Sequence, residues 1–269
     1  LVKVNATRQA FLDMAKDVNS FRNEGKRKVG LIHNPPVAAD FAGVEIPQSD
    51  LSDLKACKPG KCALKLAGPG LVELQQKIDW KSSNVGQQVN ALAGERLFAA
   101  MTAYTTQGTV AFKGLEDKST PIHIDEQLKA MLANSTSLIA VYPELAAYLR
   151  DYPNAKLAGG SDLFFWALAD FGLKPTVTMT HVVAYAPAGS EDAVIASKQL
   201  YASHYFNGGL ALTTYAKDAT GTYLVQSDRV RADSLGGMFG GVKRSKMGGA
   251  MEEAVRKFLE KTMTILSKP

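Results

Sequence analysis

The chain has 269 residues, 46% hydrophobic and 21% charged, enough apolar material to build a core without cross-links. Its net charge of +5 and pI of about 9.0 are spread along the chain, with clusters only at KRK (26–28) and KRSK (243–246). No apolar run reaches the ~18 residues that a spanning helix needs, and no recognisable motif accompanies the charge, which argues against nucleic-acid binding. The basic clusters read either as solvated surface or as a face that meets anionic lipid headgroups.

The chain opens at Leu1 rather than Met, which reads as a mature form whose leader has been removed. Phe11, Leu12, Ala15, Val18 and Phe21 suit an amphipathic helix over 5–24, with Thr7 as N-cap. RKVGLIHN (27–34) reads as a strand stopped by Pro35-Pro36. Residues 37–60 look irregular, with short strands expected at 44–47 and 62–66. Between them a turn at Pro59-Gly60 would bring Cys57 and Cys62 together. A small disulfide loop is the favoured reading and implies an oxidising compartment, periplasmic or secreted. The alternative is a pair of reduced thiols in a cytosolic protein. Two cysteines alone make a poor zinc site.

From Gly68 the pattern turns helical. Pro69 sits near a first turn, where its missing N–H costs least. Asn84 is placed to cap a helix to about Ala111, striped by Val89, Leu92, Leu97, Ala100, Met101 and Tyr104. Further helices are expected at 121–133, 143–153 and 161–172, the last between Ser161 as N-cap and Gly172 as stop. Four strands follow at 177–186, 193–206, 210–217 and 222–233, and their short turns predict an antiparallel meander. Met251, Val255, Phe258, Thr262 and Ile265 then stripe a C-terminal helix within 236–267. The expected architecture is α+β, a single domain over 1–269. It has a helical insertion (68–172), a β-meander (177–235) and a C-terminal helix that buries its stripe on the sheet.

Short strands, helices, a meander and a long terminal helix, with GTYLVQSDRVRADSLGGMFGGVKRSKMGGAMEEAVRKFLEKTM as last strand and helix, resemble the START/Bet v 1-like helix-grip superfamily. IASKQLYASHYF and the Cys57–Cys62 loop point to an exported bacterial branch. The resemblance covers mainly 177–266 and is one of pattern, and the long helical middle departs from the minimal fold. It implies a cavity between the sheet and the C-terminal helix for a lipid-like, apolar or amphipathic ligand.

On that reading Tyr201, His204, Tyr205 and Arg231 orient the polar end of the ligand, and Trp166, Phe239 and Met251 close the apolar part. Arg229 and Arg231, at strand spacing, either clamp a carboxylate or phosphate or pair with Asp233, Glu252 or Glu253. His181 shares a face with Met179, Val183 and Tyr185 and is either a satisfied core histidine or a ligand contact. In a strand, His204 and Tyr205 would face opposite ways, unless a bulge near Asn207-Gly208-Gly209 intervened.

GGMFGG (236–241) lacks the GK[ST] of a phosphate loop, and H-I-D at 123–125 is too short a pattern for a metal. No motif calls for a cofactor, a metal or a catalytic residue. A ligand-binding protein is therefore the leading expectation. An enzyme using His204 or His181 as acid or base is the rival, and an interaction module with a packed core is the third reading.

Overall fold

A computed structural model describes residues 1–18, 26–112, 114–171, 174–232 and 240–267. The elements run β1 (Val2–Val4), α1 (Arg8–Met14), β2 (Lys26–Ile32), α2 (Leu51–Ala56), α3 (Gly68–Lys77), α4 (Val85–Gln107), α5 (Ile124–Ala133), α6 (Thr136–Val141) and α7 (Pro143–Asp151). There follow β3 (Gly160–Ala169), β4 (Thr176–Tyr185), β5 (Ala193–Ala202), β6 (Phe206–Asp218), β7 (Gly221–Ala232) and α8 (Gly240–Leu266).

The seven strands form one antiparallel sheet in the order β1-β7-β6-β5-β4-β3-β2. The meander expected from the short turns is present, from β3 to β7. The first strand closes against the last, with Val2 opposite Leu224 and Val4 opposite Thr222. Thr7 caps α1 as expected, its Oγ1 accepting from Ala10 N at 3.1 Å. Within the described residues that first helix is only the seven residues of α1. The strands expected at 44–47 and 62–66 are absent: the first is irregular and the second lies between isolated bridges at Lys61 and Ala67.

The expected helix over 161–172 is strand β3, paired with Ile32 to Lys26 on one side and with β4 along its full length on the other. Its continuous apolar run, Leu163 to Ala169, arises because both sheet faces are covered. Such a run looks alike in a buried helix and a buried strand, and here the aromatics Phe164, Phe165 and Trp166 carried the strand signal. The helical middle thus ends at Asp151.

β4 is buried at every position because helices cover both faces of the sheet. On one face α4, α5 and α7 bring Met101, Tyr104, Leu128, Leu145 and Leu149 against Phe164, Trp166, Met179, Val183 and Ala196. The middle helices are a layer of the core. On the other face α1 and α8 bring Phe11, Met14, Phe258, Leu259 and Leu266 against Phe165, Val182, Ile195, Tyr215 and Leu224. The stripe read for the terminal helix faces the sheet, with Phe258 and Thr262 buried and Met251, Val255 and Ile265 half-buried. A third cluster, Leu51, Leu54, Leu64, Leu71 and Leu92, packs around the Cys57–Cys62 disulfide. No described helix is long and apolar enough to cross a membrane.

Two glycines fix close approaches. Gly108 ends α4 at φ 73°, and a Cβ there would lie 2.2 Å from Tyr152 O. Gly30 lies under the Trp166 indole, where a Cβ would meet Nε1 at 2.2 Å.

Candidate functional site

The strand reading of 160–169 decides which residues meet. Trp166 faces α4 and α7, and its Nε1 donates to Asp40 O at 2.8 Å. It therefore lies on the face of the sheet opposite α8, and it cannot close one apolar pocket with Met251, which α8 carries half-buried on the other face. The expectation that these two share a site is corrected. Phe239 lies outside the described residues.

His181 sits in a closed polar network on the same face as Trp166. Its Nε2–H donates to Asp162 Oδ1 at 2.7 Å, and its Nδ1 accepts from the Tyr104 hydroxyl at 2.8 Å. Tyr148 donates to Asp162 Oδ2 at 2.6 Å. Lys198, fully buried on β5, donates to Leu149 O at 2.7 Å and has its ammonium 5.3 Å from the Tyr104 ring centroid. Burial pushes His181 down to about 4 against the Asp162 hydrogen bond, with the Lys198 charge adding to the fall. Burial likewise lowers Lys198 to about 7, opposed by the Asp162 charge. Burial would raise Asp162, but His181, Tyr148 and Lys198 outweigh it and hold the carboxyl below its usual range. The His181 ring stacks on Phe164 at 4.5 Å and contacts Tyr152 at 4.6 Å. Every polar group here has a protein partner.

His204 and Tyr205 lie past the end of β5, so strand alternation does not apply to them. Tyr205 takes φ 60°, and the two rings lie 5.4 Å apart. The parity argument that set them on opposite faces is overturned, because the chain leaves the sheet at Ala202. His204 Nε2 meets Asp50 Oδ2 at 2.8 Å and Nδ1 meets Ala63 O at 3.2 Å. Lys174 bridges Asp50 and Asp53, and its backbone N–H donates to Tyr205 Oη at 3.1 Å. Tyr201 donates to Lys65 O at 2.8 Å. These side chains tie the end of β5 to the disulfide-bearing segment. A bulge at Leu200, opposite Met179/Thr180, sets Tyr201 on the face of Met179, and a second register shift falls between Phe206 and Gly208, near where the Asn-Gly-Gly run suggested one.

Between α8 and the sheet lies a cavity of about 270 Å³. Phe165, Phe171, Ala254 and Phe258 supply its apolar wall. Its floor is polar. Thr180 and Gln199 pair across β4 and β5, and Ser197 pairs with Ala211, which pairs with Asp228. Small side chains at Gly209 and Ala211 leave the volume that Ile195, Tyr215 and Leu224 fill farther along the same face. Ser197 is 5% exposed, and its Oγ has no hydrogen-bond partner among the described residues. Gln226 donates to Asp228. Of the site residues expected from sequence, Arg229 borders this cavity at its strand position, but it pairs with Leu210 and alternates with Asp228, so its side chain takes the opposite face, and Arg231 is exposed on β7. Asp233, a suggested partner, lies outside the described residues. Glu253 pairs along its own helix with Arg256 at 2.7 Å and Lys257 at 3.4 Å.

Sequence reasoning missed both groupings. The cavity floor was signalled by the alternating small residues Gly209, Ala211 and Thr213 on β6. The network was signalled by Lys198, a lone charge inside an apolar strand. Wider depressions along α4, lined by Phe41, Val44, Glu45 and Phe98, hold no orphaned buried polar atom among the described residues. Among the described residues no group of three or more His, Cys, Asp or Glu is placed to hold a metal ion. No protein-family model, no curated protein and no solved structure matches the chain.

Proposed function

We propose that the protein binds and carries an amphipathic small molecule in the cavity between the sheet and α8, on the plan of the START/Bet v 1-like helix-grip proteins that its sequence resembles. The observation that carries this reading is the cavity itself, walled by Phe165 and Phe258 and floored by Ser197, Thr180 and Gln199. It lies where a sheet gripped by a terminal helix leaves its space. An aromatic wall buries apolar surface at ~25 cal/mol per Å², and a few convergent polar groups set orientation. The Cys57–Cys62 disulfide supports export to an oxidising compartment, periplasmic or extracellular.

The test is to purify the protein from its native compartment, extract it with organic solvent and analyse the extract by mass spectrometry. A stoichiometric amphipathic compound is expected. An empty extract, together with no uptake of fluorescent lipid analogues, would overturn the reading.

A further inference from the structure

Residues 55–62, KACKPGKC, hold three lysines and no carboxylate. Pro59 and Gly60, the latter at φ 78°, make a tight turn that sets Lys58 opposite Lys61. The backbones of these two lysines exchange hydrogen bonds of 3.0 and 2.9 Å. Cys57 and Cys62 close the base of the hairpin, with Cα atoms 4.4 Å apart. A third stretch lies along it. Gly60 N–H donates to Glu116 O at 2.7 Å, Cys62 N–H donates to Asp117 O at 2.9 Å, and Lys61 bridges to Lys118. Residues opposite each other in an antiparallel bridge share a face, with Cβ atoms about 5 Å apart. Lys58, Lys61 and Lys118 therefore stand side by side on one exposed face, while Cys57 turns to the buried side.

Like charges directly opposite each other destabilise a strand pair. Among the described residues neither Lys58 nor Lys61 forms an ion pair, whereas Lys118 makes a further contact of its own. The carboxylates of the adjoining stretch are turned elsewhere. Asp117 is 4% exposed with its Oδ2 4.0 Å from Lys65 Nζ, and Glu116 lies over Gly68, where a Cβ would meet its Oε1 at 2.5 Å. The disulfide and the backbone bridges fix the lysines at their bases. An anion set against the ammonium groups turns their repulsion into attraction.

Shape selects among anions. The lysines line neither the cavity under α8 nor the depressions along α4, so a small soluble anion would be held from one side only, with water competing for it. The exposed neighbours Pro59, Ser119, Thr120 and Pro121 include no aromatic ring on which a nucleic-acid base could stack. A charged plane gives each ammonium its own counter-charge. We infer that this face, built by the disulfide hairpin and residues 116–119, docks on a bilayer surface bearing anionic phospholipid headgroups.

The experiment sediments the whole protein with vesicles of phosphatidylcholine alone and of phosphatidylcholine mixed with phosphatidylglycerol. Binding is expected to the mixed vesicles only, and it is lost at about 1 M salt, where screening shortens to about 3 Å. Lys58→Gln and Lys61→Gln each weaken it about fivefold, and together about 25-fold. Lys156→Gln with Lys217→Gln, which removes the same charge from other exposed positions, leaves it within about twofold. Each hairpin variant unfolds at no lower urea concentration than the parent, because an opposed like-charge pair is gone, so the lost binding is a lost contact. Vesicle binding that is equal in the hairpin double variant and its parent, or equally weakened by the control pair, overturns the inference. So does a protein that ignores the vesicles but binds heparin or a single-stranded oligonucleotide through these lysines, which assigns the face to a soluble polyanion. The cavity takes no part in these measurements, so an empty ligand extract overturns the ligand-binding reading alone.

Discussion

Both faces of the sheet bury polar side chains, and they treat them differently. On the face covered by α4 and α7, Tyr104, His181, Asp162 and Tyr148 form a closed chain of hydrogen bonds, and Lys198 is held by Leu149 O. On the face covered by α8, Thr180, Ser197 and Gln199 border open volume, and Ser197 Oγ has no partner among the described residues. The first arrangement is a structural pin whose groups satisfy one another. The second presents hydrogen-bonding capacity that the described chain leaves unused. A perturbed pKa therefore does not by itself locate a site: His181 and Lys198, both strongly shifted, do not line the cavity under α8.

The contrast breaks most easily at His181. His181→Ala should cost about 3–5 kcal/mol, since it opens a cavity against Phe164 and Tyr152 and strands the Tyr104 hydroxyl and an Asp162 oxygen. Urea denaturation midpoints measure it, and a loss below about 1 kcal/mol would mean the network does not pin the fold.

The next largest effect is a pH slope. Lys198 in the unfolded chain keeps its proton up to about pH 10, whereas in the fold it releases it near 7. The unfolded state binds more protons between these values, so stability should rise with pH across that window, by a few kcal/mol at most. Lys198→Met should flatten the rise between about pH 7 and 9. For His181 the folded value near 4 lies below the unfolded value, so stability should fall as pH drops from about 6.5 toward 4. Denaturation curves of the parent and Lys198→Met across pH check both signs.

On the α8 face, Ala211→Leu should raise stability by about 1 kcal/mol by filling open volume, and it should abolish ligand uptake. Thermal unfolding and binding measured on one preparation read both effects, and destabilisation would mean the space is already packed. The smallest loss belongs to Ser197→Ala, which should be neutral or stabilising, because it removes a buried hydroxyl without a partner and no hydrogen bond. Equal costs for Ser197→Ala and His181→Ala would erase the difference between the faces.

Local chemistry alone determined several features. Thr7 caps α1 because a short side-chain oxygen reaches an orphan amide two or three residues on. The meander follows from short Gly-rich turns between β-branched runs, and the Cys57–Cys62 closure follows from a Pro-Gly turn between near cysteines. The buried stripe of α8 follows from helical spacing. Each pattern is set by residues close in the chain, and sequence records those directly.

Tertiary structure decided the rest. Whether Leu163–Ala169 is helix or strand depends on β2 and β4 being there to pair with it, since periodicity vanishes once both faces are covered. Which face Trp166 takes, where the chain leaves the sheet before His204, and that Asp162 meets His181 across 19 residues all depend on partners far along the chain. The cavity depends on what is missing above Gly209 and Ala211, and only the packing of α8 turns small side chains into a space. A sequence lists side chains, but burial, partners and emptiness are relations between them that exist only once the layers have come together.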